Sequence, residues 1–402
     1  MTRSVTARDE AVQNASLNPR LTSLNLRFAS SFLLAMTQSG CKNNTTMKQK
    51  VICGIQQVGI GVNDFVQAWR WYYDNFGFQI KIVDDEGIAE RMLPYTGGKP
   101  QPRRSGIAVN IRGGGGFEIW QPKGRELNHL KEPVKLGDLG ILIAKVKTPD
   151  IEVAYNTFVN KGLDIISRIS TSPTGQRQFF MKDLYGNLFQ IEQDDYVFIN
   201  DKTLLTGGAN GAVIGVSDID RSLPFYTKLL GYDRVVLDQT GVFEDLEALE
   251  GGKNTLRRVI LERSKPIEGP LSNLMGTSHL ELIQRVDGPD KKLYEGRYWG
   301  DPGFIHLCFD VRNMDAIKEE AEAMGHPFVC DSGADFGMGD ANGHFTYVED
   351  PDGTLIEFVE TFKIPIVKKF GLYLNLAKKD DHKPLSIIKL LRFAKVKREN
   401  IQ

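Results

Sequence analysis

From residue 51 onward, apolar and polar residues alternate in short runs separated by Gly, Asp, Asn and Pro. A period of two marks half-buried strands, because successive side chains leave a strand on opposite faces. In the run from Gly303 to Val311, Ile305, Leu307, Phe309 and Val311 fall on a packing face and His306 on the other. After the turn Asp350-Pro-Asp-Gly353, Ile356 and Phe358 take the packing face, leaving Glu357 opposite with Leu355 and Val359. The run from Ser278 to Gln284 repeats this, with Leu280 and Leu282 on one side and His279 and Glu281 on the other. Three strands are thus expected to offer ligand-type side chains to one cavity. Longer spacings predict helices over 150–161 and 314–324, each stopped by a glycine, Gly162 and Gly325, suited to a left-handed residue.

The pattern repeats. Val62-Asn-Asp64, Trp71-Tyr72 and Gly77-Phe78 reappear as Val216-Ser-Asp218, Phe225-Tyr226 and Gly231-Tyr232, 154 positions on. Glu118 in Phe-Glu-Ile-Trp-Gln matches Glu281 in Leu-Glu-Leu-Ile-Gln at 163, and Asp183-Leu-Tyr-Gly186 matches Asp350-Pro-Asp-Gly353 at 167. A slowly drifting offset is the mark of a duplication with small loop insertions. Residues 51–196 and 207–362 are two copies, and each copy is double again. The expected architecture is α+β, with four βαβββ units.

Composition narrows the function classes. A chain of 402 residues with net charge -1 has room for two domains and carries no global signature of nucleic-acid binding. The cysteines, at 41, 53, 308 and 330, form no paired spacing, which argues against a disulfide framework or zinc knuckle. No apolar run reaches the ~20 residues that span a bilayer, so a cytoplasmic protein is expected. Residues 1–50 are rich in Ser, Thr, Asn and Arg and read as a disordered or signal-like extension. Ser39-Gly-Cys41 resembles a lipobox, so a lipoprotein anchored through Cys41 is the alternative. Residues 363–402 carry 11 Lys or Arg against 3 Asp or Glu, with an apolar stripe over Leu385–Phe393. Such a tail can dock on its own chain, on a partner or on an anionic membrane surface. Gly113–Gly116 lies between strands, lacks the strand-to-helix setting of a phosphate loop and reads as a turn. Asp350-Pro-Asp-Gly353 likewise reads as a structural turn.

The first-strand signature Gly59-Ile-Gly-Val-Asn-Asp64 with Trp71-Tyr72, and the ending Asp350-Pro-Asp-Gly-Thr-Leu-Ile-Glu357, resemble the vicinal oxygen chelate superfamily. That superfamily includes glyoxalase I, methylmalonyl-CoA epimerase, extradiol dioxygenases and bleomycin-resistance proteins. The resemblance covers residues 51–362 and implies that paired units curl their mixed sheets into open cups, each able to hold a divalent metal on first and last strands. Pairing consecutive units gives a first domain, 51–196, with Gln57, Glu118, Ile141 and Gln190 at the ligand positions. This set looks degenerate, because Ile141 cannot bind a metal. The second domain, 207–362, has Gly211, Glu281, His306 and Glu357, with a gap at Gly211 and Asn210 beside it facing away.

The expected metal ligands are therefore Glu281, His306 and Glu357, a set suited to one Zn, Ni, Mn, Co or Fe(II) ion. The resemblance implies a glyoxalase-like lyase or isomerase acting on a small carbonyl compound with vicinal oxygens through a metal-stabilised enediolate, with Glu357 as first and Glu281 as second choice of catalytic base. His279 is a candidate fourth ligand or supporting residue, and Cys308 lines the cup. Arg297 and Trp299 are candidates for an anion clamp and an apolar wall over the substrate, and His344 and Tyr347 for further substrate contacts. Two alternatives stay open: a metal-free, resistance-type binding protein, and a non-heme Fe(II) dioxygenase with His279 supplying the missing ligand. Units could also pair across chains, as in a homodimer.

Overall fold

The computed structural model describes residues 48–289, 291–338, 341–367 and 371–402. Cys41 and the signal-like segment lie outside the described residues. Four units follow in order. The first holds β1 (Val51–Gly61), β2 (Ile80–Ala89), β3 (Gln101–Val109) and β4 (Gly116–Pro122). The second holds β5 (Gly140–Thr148), β6 (Ser170–Thr171), β7 (Arg177–Lys182) and β8 (Leu188–Gln193). The third holds β9 (Ala209–Gly215), β10 (Arg234–Gly241), β11 (Leu256–Glu262) and β12 (His279–Arg285). The fourth holds β13 (Gly303–Arg312), β14 (Cys330–Asp331), β15 (Phe336–Met338), β16 (Ala341–Glu349) and β17 (Leu355–Val367), to which the tail adds β18 (Leu372–Asn375).

The Val-x-Asp motif of the first and third units, and Asp150 after Thr148-Pro149 in the second, are helix starts. Asp64, Asp150 and Asp218 are extended N-cap residues whose side chains accept from the backbone N–H three residues on, opening helices at Phe65, Ile151 and Ile219. The fourth unit lacks the aspartate. There Asn313 takes a left-handed conformation, and Glu360 accepts from the backbone N–H groups of Asn313 and Met314. Another pair of repeated motifs is one contact made twice: Tyr72 donates to Asp183 at 2.6 Å and Tyr226 donates to Asp350 at 2.7 Å. Each ties consecutive units together on their helix-bearing side. Asp350 also accepts from the backbone of Asp352 and Thr354, which confirms the Asp-Pro-Asp-Gly stretch as a turn.

The sheets are paired differently from the sequence expectation. One sheet runs β14-β16-β17-β13-β1-β4-β3-β2, joining the first unit to the fourth, and the other runs β10-β11-β12-β9-β5-β8-β7-β6, joining the third to the second. The cups are therefore not 51–196 and 207–362. Each takes one unit from each half of the duplication, within a single chain. At the centre of the first sheet β1 and β13 pair antiparallel, flanked by parallel β4 and β17. Strand alternation assigns faces but says nothing about which edge a strand will join, so the pairing was open to packing. Gly113–Gly116 stitches the two sheets: Gly113 O accepts from Gly208 N and Gly115 exchanges backbone bonds with Ala209.

One strand face also changes. Opposite Gly59 and Ile60 the register of β13 skips from His306 to Phe304. This bulge sends Phe304 into the main core with Leu307, Phe309 and Val311, and turns Ile305 toward Trp299 and Tyr347. The basic tail packs on its own chain. Within the 3-10 segment Ser386–Ala394, Ile388 and Leu391 are buried against Ile80, Leu271 and Ile364. Val396 N donates to Gln79 O, and Arg398 pairs with Asp74. No helix among the described residues is long and apolar enough to cross a membrane.

Candidate metal centre

Cross-unit pairing brings four side chains together in the first cup. Gln57 lies on β1, Glu118 on β4, His306 on β13 and Glu357 on β17. Gly59 pairs with His306 on one side and Glu118 on the other, and Cys308 pairs with both Gln57 and Glu357. His306 Nε2 lies 3.2 Å from Glu118 Oε2 and 3.1 Å from Glu357 Oε2. Gln57 Nε2 bridges the same two carboxylates at 3.2 and 3.3 Å. Glu118, His306 and Glu357 present ligand atoms all within 4.8 Å of one another. The imidazole stands directly over β1, since a Cβ at Gly59 would meet its ring at 2.3 Å. Glycine is required there by the close approach of another side chain.

The site is buried and its polar atoms are not spent. All four residues are at most 5% exposed. Gln57 Oε1 and both ring nitrogens of His306 have no in-line hydrogen-bond partner, although such atoms are normally paired when buried. Two carboxylates, an imidazole and an amide whose oxygen can be turned inward fit a hard to borderline divalent ion. The electrostatics show the same demand for positive charge. Burial disfavours the charged imidazole, yet Glu357 and Glu118 outweigh it and lift His306 to about 9. Burial, together with the charge of Glu357, pushes the Glu118 carboxyl above its ordinary value despite the opposing pull of His306. Burial also raises the Tyr347 phenol and the Cys308 thiol, each helped by the Glu357 charge, so both stay neutral. Cys308 is fully buried with its Sγ toward Gln56, does not line the cavity, and is not a nucleophile in this setting.

The expected substrate residues divide. Trp299 stacks on His306 with centroids 6.5 Å apart, and Tyr347 meets the same ring edge-on at 5.3 Å. Both line a cavity of about 210 Å³ that opens beside Glu118 and Glu357. His344 lies at the same cavity and pairs with Asp331 at 2.6 Å. Arg297 does not line it. Its guanidinium is held by the carbonyls of Asn128, Leu293 and Pro302, so it braces a loop instead of clamping an anion.

Glu281 and His279 are placed in the second cup, away from His306 and Glu357. Glu281 accepts from Lys145 Nζ at 2.8 Å and from Arg258. His279 lies 3.0 Å from Lys145 Nζ and 3.2 Å from Glu192. Gly211 packs beneath the Lys145 stem, and Asn210 donates to Glu192. Ile141 is buried in the core, and Gln190 donates to Gln178 and Glu192. Neither ligand set predicted by pairing consecutive units exists as such: Gln57 and Glu118 from the degenerate half complete the set of His306 and Glu357. Lys145 was overlooked, although a lysine at a buried strand position in Ile141-Leu-Ile-Ala-Lys-Val146 was the available signal.

The sequence profile of the Glyoxalase/Bleomycin resistance protein/Dioxygenase superfamily matches residues 54–191 and 208–358. The chain belongs to this superfamily. Lactoylglutathione lyase of Pseudomonas aeruginosa is 28% identical to this superfamily member over 159 residues, 38% of this chain and 81% of that protein. The crystal structure of glyoxalase I from Zea mays is 15% identical and has a TM-score of 0.49, covering 78% of this chain and 92% of that one. The matched stretches follow the two halves of the duplication, while the cups cross between them.

Proposed function

We propose that the first cup holds one divalent metal, of the Mn, Fe(II), Co, Ni or Zn group, and carries a glyoxalase-like lyase or isomerase reaction on a small carbonyl compound with two adjacent oxygens. The observation that carries this reading is the convergence of Gln57, Glu118, His306 and Glu357, with unspent buried polar atoms, at the wall of a cavity. The similarity to a lactoylglutathione lyase agrees with it.

When bound, the ion would act as a Lewis acid that polarises the substrate carbonyl and offsets the charge left by proton loss. Neutral His306, with Gln57 and Glu118, would hold it. Glu357 moves the substrate proton, because it lines the cavity and lies across from Tyr347 on the neighbouring strand. Trp299 and Tyr347 keep water out and fix the substrate plane. The dioxygenase alternative needed His279 as a ligand, and His279 stands in the other sheet. The metal-free alternative drew on the Gly211 gap, which lies in the second cup, and on the half-empty ligand set of 51–196, whose Gln57 and Glu118 lie beside His306 and Glu357.

The test is conversion of the hemithioacetal of phenylglyoxal by protein loaded with each metal in turn, with proton exchange followed by NMR in deuterium oxide. We expect metal-dependent turnover that falls about 10²- to 10⁴-fold in Glu357→Gln, the range for loss of a positioned base. Stoichiometrically loaded protein that neither turns over nor exchanges the proton would contradict the proposal.

A further inference from the structure

We infer that the C-terminal segment forms the end wall of the substrate chamber in the first cup, and that this chamber takes an extended apolar body attached to the paired oxygens. The inference rests on the metal-site reading above and adds a substrate class to it. The cavity lined by Glu118 and Glu357 is also lined by Ile82 and Val109 of the first unit and by Leu274, Met275, Ile364 and Leu391, which pack in a cluster apart from the one around Trp299 and Tyr347. Leu274 and Met275 come from the short helix Ser272–Met275, which precedes β12 of the other sheet, and Leu391 comes from the tail. The inner end of the cup is therefore closed by pieces from outside the two units that build it.

The tail is held firmly there. Leu391 is 1% exposed. Leu385 N donates to Pro270 O, beside the short helix, and Lys395 pairs with Asp201 at 2.5 Å. Among the described residues the one buried cation of the chamber wall, Arg103, already has its charge balanced by Asp85, leaving only its Nε–H without a partner. Arg103 is paired with Asp85 at 2.7 Å, His344 is paired with Asp331, and Glu90 and Arg91 are exposed. An anionic or zwitterionic body would exchange its hydration for a guanidinium already neutralised by Asp85, whereas an apolar one gains from burial.

The probes are n-alkyl hydroxamates, whose C=O and N–OH oxygens make a vicinal pair and whose chain length can be varied. Their binding to the full chain loaded with Mn(II) is measured by calorimetry. Affinity should rise up to about fourfold per methylene, the value for complete burial of a CH₂, and then level off where the chain meets the tail. Leu391→Ala should shift that plateau to longer chains. Leu274→Ala, on the facing wall, provides the same readout should the tail variant fold poorly. Acetohydroxamate that fails to bind metal-loaded protein overturns the metal reading and this inference with it. Binding of acetohydroxamate with affinities indifferent to chain length overturns this inference alone. A plateau that neither variant moves overturns the role of the tail wall.

Discussion

The two cups contain nearly the same inventory and keep it in opposite states. In the first, Glu118, Glu357 and His306 meet with no ammonium or guanidinium of the described residues between them. In the second, Glu281, Glu192 and His279 surround the ammonium of Lys145, and Arg258 adds a second cation bound to Glu281 and Asp245. Glu118 and Glu281 occupy matching places in the duplication, and both are buried. Burial pushes both carboxyls upward. It prevails at Glu118, whereas Arg258 and Lys145 overcome it at Glu281 and hold that carboxyl at about 2. Buried carboxylates require positive charge close by. The second cup carries that charge in its own side chains, and the first leaves the place open for a proton or an ion.

The sharpest way to break this contrast is to remove the built-in cation. Lys145→Met leaves Glu281 and Glu192 short of a partner in the interior, and we expect a loss of about 3–5 kcal/mol, as for breaking a buried ion pair from one side. Urea denaturation measures it, and metal bound in the first cup should be unchanged. A loss under ~1 kcal/mol would show the lysine to be a passenger.

A smaller effect concerns pH. Because the folded-state value for Glu281 lies near 2, below its ordinary 4.5, its contribution to stability is present above about pH 4.5 and is lost as pH falls through about 2. The carbon-13 resonance of the Glu281 carboxyl should therefore titrate with a midpoint near 2. In Lys145→Met the midpoint should move upward. A wild-type midpoint at the ordinary glutamate value would mean that the network does not hold the charge.

Much of this was legible in residue order, and the reasons for the rest are physical. The motifs that carry Asp64 and Asp218, and Tyr72 and Tyr226, repeat at a fixed offset, so spacing exposed the repeat, while the cap or contact that each residue makes is seen only in the fold. Strand alternation put His306 and Glu357 on a chemical face, and the structure keeps them there. It failed at Ile305, because a bulge depends on the partner strand and leaves no mark in the pattern. It failed more seriously at Glu281. Face and position were right, but ligands come from several strands, and the sheet a strand joins is decided by packing across the whole chain. The same uncertainty hid the completeness of the site, since Gln57 and Glu118 had been assigned to a half that looked inactive. The tail was legible as an apolar stripe among cations, and only the packed chain shows Ile388 and Leu391 spent inside the core.

The central claim is that the metal site crosses the duplication, and the matched glutamates test it. Wild type, Glu118→Gln and Glu281→Gln would be loaded with Mn(II), desalted and assayed for bound metal by elemental analysis, with circular dichroism confirming the fold of each. We predict one ion per chain in wild type and in Glu281→Gln, and loss of near-stoichiometric metal in Glu118→Gln. Metal retained by Glu118→Gln and lost from folded Glu281→Gln would contradict the account and return the site to consecutive units.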